Sequence, residues 1–166
     1  MPSAPARAWS AREERLFRFV LHYFSRFNSW VYRRSGGRLL SRWKGRHCIG
    51  ILTCRGRTTG ALRATPLLYL RDDPRLVLIA SNAGMSSDPL WYRNLMHHPD
   101  CEFEIGPIKH LVRARPASAD EKQHYWPQLV AIYGYFTQYQ ARTARDIPLV
   151  ILEPRAAPGL DTPPPR

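Results

Sequence analysis

Six short apolar runs separated by turn residues most restrict what this chain can fold into. They cover residues 49–53, 65–70, 76–81, 101–105, 111–115 and 147–152. Each has strand length. Asp72-Asp73-Pro74 and Gly106-Pro107 supply tight turns inside two of the pairs. A handful of short strands leaves unpaired edges unless the sheet closes on itself, so a closed or partly closed barrel is expected. Helical patterns are interspersed at 89–96, at 118–133 behind the capping box Ser118 to Glu121, and at 136–142. They do not alternate strictly with the strands, which argues against a doubly wound parallel sheet and for an α+β class.

Ahead of the barrel, Ser10 and Glu13 form a second capping-box pattern. Leu16, Val20, Tyr23, Phe27 and Trp30 then recur at helical spacing, widened by Phe17, Leu21, Phe24 and Val31. This N-terminal amphipathic helix should end near Ser35-Gly36-Gly37. The expected organisation is a basic helix and linker over 1–46, a barrel over 47–154 and a disordered Pro-rich tail over 155–166.

Charge narrows the partners. The chain of 166 residues carries a formal +12. The excess sits between Arg7 and Arg57, where only Glu13 and Glu14 oppose it. Such a balance favours a polyanion: nucleic acid, anionic lipid, or a phosphorylated or carboxylate-rich ligand. The basic residues crowd one helix and one loop rather than interleaving with aromatics on a sheet face, so no nucleic acid is expected. The 16–31 stretch is interrupted by Arg18, His22, Ser25 and Arg26 and is read as non-spanning. It admits two readings: a helix lying on anionic lipid, or a cap on the barrel. The first places the protein peripherally on the inner face of the cell membrane. Three cysteines without a CxxC pair read as reduced, cytosolic thiols, with no metal site.

Three constellations could carry chemistry. Arg55-Gly56-Arg57-Thr58-Thr59-Gly60-Ala61-Leu62-Arg63 combines glycines, hydroxyls and guanidinium groups, which suits an anionic ligand on a strand-to-strand loop. A solvated hairpin loop is the plainer reading. Ala80-Ser81-Asn82-Ala83-Gly84, followed by Asp88-Pro89-Leu90-Trp91-Tyr92-Arg93-Asn94-Leu95, offers small polar residues beside an aromatic wall, as a flat ligand requires. Core packing of Trp91 and Leu95 is the alternative. Tyr133, Tyr135, Phe136 and Tyr139 crowd around Gly134, either lining an acceptor pocket or packing a helix junction. No hydrolytic nucleophile, HExxH or GxSxG stands out. That suits a cofactor which brings its own reactivity.

In order along the chain, these segments resemble the deazaflavin-dependent nitroreductase family, whose cofactor is coenzyme F420. The matching residues are Asn28-x-Trp30-x-Tyr32-Arg33-Arg34, Gly56-Arg57-x-Thr59-Gly60, Arg63-x-x-Pro66-Leu67, Ala80-Ser81-Asn82-x-Gly84 and Pro89-x-Trp91-Tyr92-x-Asn94-Leu95. They continue through Tyr125-Trp126-Pro127-Gln128-Leu129, Tyr139-Gln140-x-Arg142-Thr143, Ile147-Pro148 and Glu153-Pro154. The resemblance implies a split β-barrel of about six strands, similar to flavin-binding barrels. It implies a hydride transfer from reduced F420 to a quinone-like or nitro-aromatic acceptor, with FMN the lesser candidate cofactor. Arg57, Thr58, Thr59, Arg63, Thr65 and Pro66 would border the coenzyme's phosphate, acidic tail and ring. Ser81, Asn82, Ala83 and Gly84 would meet it from the next loop, with Leu90, Trp91, Tyr92 and Asn94 behind. Leu68, Tyr133, Phe136 and Tyr139 would line the acceptor site, and Ser81 or Tyr139, or a water, would serve the oxyanion or supply the proton. The family often has a basic residue where Thr58 stands and lysine where Asn82 stands. Either difference removes a charge-assisted contact of about 1.5–3 kcal/mol. The competing class is a non-catalytic barrel that holds a flavin, haem or lipid.

Overall fold

The computed structural model describes residues 7–10, 12–16, 34, 42–43, 46–47 and 49–155. The aromatic stripe expected beyond Leu16 and the tail from 156 lie outside the described residues. The first capping box is present: the Ser10 backbone N–H donates to Glu13 Oε2 at 2.7 Å, and the Glu13 N–H to Ser10 Oγ at 3.3 Å. Residues 12–16 are helical behind it.

Two short strands, β1 (Arg42–Trp43) and β2 (Arg46–His47), form an antiparallel ribbon. Six more make the barrel: β3 (Ile49–Arg55), β4 (Leu62–Asp72), β5 (Arg75–Ile79), β6 (Asp100–Ile105), β7 (Ile108–Pro116) and β8 (Leu149–Pro154). All neighbours are antiparallel, in the closed order β3-β4-β5-β8-β7-β6. The fold is therefore the α+β split barrel that the sequence implies.

The strands alternate between two cores. Leu67 and Tyr69 of β4, Leu76 and Leu78 of β5, and Val150 and Leu152 of β8 point into the barrel around Phe103. Their neighbours Val77, Ile79, Leu149 and Ile151 point outward, under helices α2 (Ala119–Ile132) and α3 (Tyr135–Ala141). Strands covered on both faces read as unbroken apolar runs, which is why β5 and β8 lack polar alternation in the sequence. A third helix, α1 (Leu90–His97), turns Trp91 and Leu95 into the barrel cluster.

Strand β4 is longer than its apolar run predicts. Its polar start is held by pairing with β3 from Ile49↔Leu68 to Arg55↔Leu62, and its end by pairing with β5 from Tyr69↔Leu78 to Asp72↔Arg75. Strand β8 starts two residues later than predicted, at Leu149. Pro148 has no N–H to give a ladder, and its carbonyl accepts from the Ala80 N–H at 2.9 Å.

Helix α2 begins with the predicted capping box. Ser118 N–H donates to Glu121 Oε2 at 2.8 Å, and Glu121 N–H to Ser118 Oγ at 3.2 Å. Both Glu121 oxygens also accept from Arg115, at 2.7 Å each, and this pairing brings the carboxyl down to about 2. A carboxyl that ionises at lower pH when folded contributes stability above its ordinary range near 4.5. That stability is lost as pH falls through about 2. Glu121→Gln is expected to cost about 1–2 kcal/mol at pH 7, allowing for partial exposure of the pair. In thermal melts across pH, its deficit relative to wild type should shrink between 4.5 and 2.

Candidate functional site

Between β3 and β4 the chain makes a closed loop. Gly56 N–H donates to Ala61 O, and Gly60 N–H to Gly56 O, both at 2.8 Å. Gly60 turns the chain at φ +68°. Arg57, Thr58, Thr59 and Arg63 are exposed around this turn, while Thr65 and Pro66 are half-buried along β4. Asn94 of α1, buried to 7% exposure, accepts from the Arg57 backbone N–H at 3.2 Å. Of the helix residues expected at a ligand, Asn94 thus acts on the basic loop itself, through its backbone.

After β5 the backbone reverses hand. Ser81 is right-handed, at φ −69° and ψ −35°. Asn82, Ala83 and Gly84 then follow at φ +45°, +53° and +75°. Two consecutive non-glycine residues in that region cost on the order of 1–3 kcal/mol each and persist only where surroundings impose them. The backbone N–H groups of Ser81, Asn82 and Ala83 have no acceptor among the described residues, whereas those of Gly84 and Met85 bond back to Ser81 O and Asn82 O. Successive N–H groups across such a reversal form a concavity suited to an anion or an electron-rich ring edge. The Asn82 side chain is turned to Ser87 O at 2.8 Å.

Arg145, between α3 and β8, holds this loop. Its guanidinium donates to Ala80 O at 3.2 Å, Ser81 O at 2.7 Å, Met85 O at 2.9 Å and Asp88 Oδ1 at 2.8 Å. Burial leaves its side chain 15% exposed and pulls its pKa down, against the charge of Asp88. The loop also sits directly on α3. A Cβ at Gly84 would lie 2.5 Å from Tyr139 O and 3.0 Å from Arg142 Cβ.

The expected acceptor residues gather on the outer core. Phe136 is 3% exposed there, with Leu68, Tyr133 and Tyr139 packed half-buried around it. The Tyr133 and Tyr139 hydroxyls are 3.1 Å apart. Burial, and then the Tyr133 hydrogen bond, raise the Tyr139 phenol well above its ordinary value. It stays protonated at neutral pH and can donate but not act as a base.

Other candidates are placed differently. Trp91 is 8% exposed inside the barrel cluster, with Tyr92 edge-on to it at 6.2 Å. Leu90, the first residue of the helix, is 65% exposed. A separate cleft of about 430 Å³, lined in part by Arg55, His98, Cys101 and Arg155, involves none of the expected site residues. Cys54 and Cys101 are buried free thiols.

Sequence reasoning did not find Arg145, or the partners that the 81–86 loop takes from residues 7–16. A lone arginine in a polar linker gives no sign that it will be buried among carbonyls.

Comparison with known proteins identifies the family and the fold. Residues 24–154 match the family model described as F420H(2)-dependent quinone reductase. An F420H(2)-dependent quinone reductase of Mycobacterium tuberculosis is 34% identical over 134 residues, covering 78% of this chain and 89% of its own length. Among solved structures, an F420-H2 dependent reductase superposes with a TM-score of 0.59 at 29% identity, over 63% of this chain and 93% of its own. A chain described as a domain-swapped dimer superposes at 0.60 with 28% identity, over 76% and 98%.

Proposed function

This chain belongs to the F420H(2)-dependent quinone reductase family, and from that premise we propose that it transfers a hydride from reduced coenzyme F420 to a quinone or, more broadly, to a nitro-aromatic acceptor. The observation that carries the proposal is the left-handed Asn82–Gly84 turn seated on Tyr139, with the N–H groups of Ser81, Asn82 and Ala83 lacking an acceptor among the described residues. These residues fit the coenzyme. Close backbone approach and free donors suit a flat ring with electron-rich edges. The exposed Arg57 and Arg63, with Thr58 and Thr59, suit its phosphate and acidic tail.

When bound, the coenzyme supplies the hydride. The chain's own residues hold and orient. The N–H groups of Ser81, Asn82 and Ala83 would hold the coenzyme ring, and Asn94 steadies the basic loop. Leu68, Tyr133 and Tyr139 flank the acceptor, with Phe136 fixing the two tyrosines from the core. The acceptor gains a hydride and a proton. Negative charge develops on its oxygen as the hydride arrives, and a hydroxyl from Tyr139 or Ser81, or a water, donates to that oxygen. Holding the coenzyme and the acceptor side by side would supply most of what such a step needs from a protein.

The same proposal includes peripheral association with the anionic inner face of the cell membrane. Its support is the apolar stripe with arginine flanks in the sequence. No helix among the described residues is long and apolar enough to cross a membrane. Co-sedimentation with phosphatidylglycerol vesicles, reversed by salt, checks this part.

The central test is titration with oxidised and reduced F420, with FMN as control, followed by a menaquinone analogue. Submicromolar to micromolar F420 binding and acceptor-dependent oxidation are expected, with Arg63→Ala weakening F420 about 10-fold and flattening the salt dependence. A clear preference for FMN, or no turnover with any quinone, refutes the proposal.

A further inference from the structure

The segment 7–16 precedes the family-matched region, which starts at residue 24, yet it reaches the loop proposed to hold the coenzyme ring. The Trp9 indole N–H donates to Ala83 O at 2.9 Å. Glu14 is 6% exposed, and its carboxylate accepts from the Ser86 N–H at 2.7 Å and the Ser86 hydroxyl at 3.0 Å. The Trp9 ring also lies 5.6 Å from the Arg142 guanidinium, which is 5.9 Å from the Tyr139 ring. Trp9 therefore holds Ala83, one of the two strained residues, and Glu14 holds Ser86, three residues further on.

We infer that Trp9 and Glu14 are positioning residues of the coenzyme site: a strap from outside the family-matched region that holds the 81–86 loop in its left-handed conformation and keeps Arg142 against Tyr139. The physical reason is strain. A backbone that disfavours its own conformation relaxes unless several contacts oppose it together. Arg145 opposes relaxation from below, through Ala80 O, Ser81 O and Met85 O. Trp9 and Glu14 act on Ala83 and Ser86, to which Arg145 makes no hydrogen bond. A loop that is competent only part of the time binds its ligand more weakly by that fraction, without altering the bound geometry. The strap should therefore set affinity for the coenzyme and leave the chemical step nearly untouched.

The inference rests on the proposed function for the identity of the ligand, and its test has an arm that does not. Trp9→Phe removes the indole donor and keeps a ring over Arg142, while Trp9→Ala removes both. Glu14→Ala removes the acceptor, and Glu14→Gln restores an oxygen to the Ser86 N–H. In the full chain, amide hydrogen exchange at Gly84, Met85 and Ser86 is expected to quicken about 10-fold in Glu14→Ala and less in Glu14→Gln. Barrel amides such as those of Leu78 and Val150 should hold their protection. F420 fluorescence titration should show about 10-fold weaker binding for Glu14→Ala and for Trp9→Ala, and about 3-fold for Trp9→Phe. The kcat at saturating coenzyme should stay within about 2-fold of wild type. Unchanged exchange at residues 84–86 overturns the strap. Faster exchange with unchanged affinity overturns its positioning role. Failure of the wild-type protein to bind F420 defeats the proposed function and the ligand-setting part of the inference, while the exchange arm still decides whether the strap holds the loop.

Discussion

Arg145→Ala is expected to be among the most damaging single substitutions on this chain, with a loss of about 3–5 kcal/mol of stability and of measurable coenzyme binding. One guanidinium serves three carbonyls and a carboxylate at once. Its removal leaves Asp88, whose side chain is 32% exposed, without its cation, and frees the backbone on both sides of the left-handed turn. Arg145→Lys should recover only part of the loss. An ammonium has three donors and no planar fork, so it cannot address four acceptors in this arrangement. Denaturant unfolding and F420 titration on the two variants check this. If Arg145→Ala melts within about 2 °C of wild type and still binds F420 normally, this account of the loop is wrong.

Gly84→Ala is expected to have the second-largest effect, concentrated on the site. The added methyl meets backbone at 2.5 Å, an oxygen of Tyr139 that cannot swing aside as a side-chain tip would. The residue also sits at φ +75°, where alanine is disfavoured by about 1 kcal/mol before any clash. To accommodate it, the loop must lift off α3, which separates the Ser81–Ala83 donors from the aromatic cluster. Loss of F420 affinity by about 100-fold or more is expected, with a drop in melting temperature of several degrees. Gly106→Ala is the matched control. Its φ is +60° and nothing lies within 4 Å of the added carbon. It should show the conformational cost alone and keep its affinity for F420. Equal effects from the two substitutions would falsify the seat on α3.

Much of this protein is determined by its sequence alone, for local reasons. Strand existence followed from apolar runs bounded by Asp72-Asp73-Pro74 and Gly106-Pro107, because turn chemistry is a property of a few adjacent residues. The capping boxes at Ser10 and Ser118 are local in the same way, and both form as read. The family, and with it the coenzyme class, was legible because its motifs lie in short runs whose order survives.

Tertiary structure alone decided which of those motif residues fill the cores and which stay at the surface. In sequence, Trp91 and Phe136 admit both a ligand wall and core packing; the register of α1 and α3 packs them into the two cores. Asn94, expected behind the coenzyme, accepts from the Arg57 backbone N–H 37 residues away. Arg145, Trp9 and Glu14 act on the 80–88 loop across separations of 57 to 74 residues. Their positions carry no periodic signature. Hydrogen bonds between distant segments are set by how the barrel closes, and closure is a property of the whole chain rather than of any window along it.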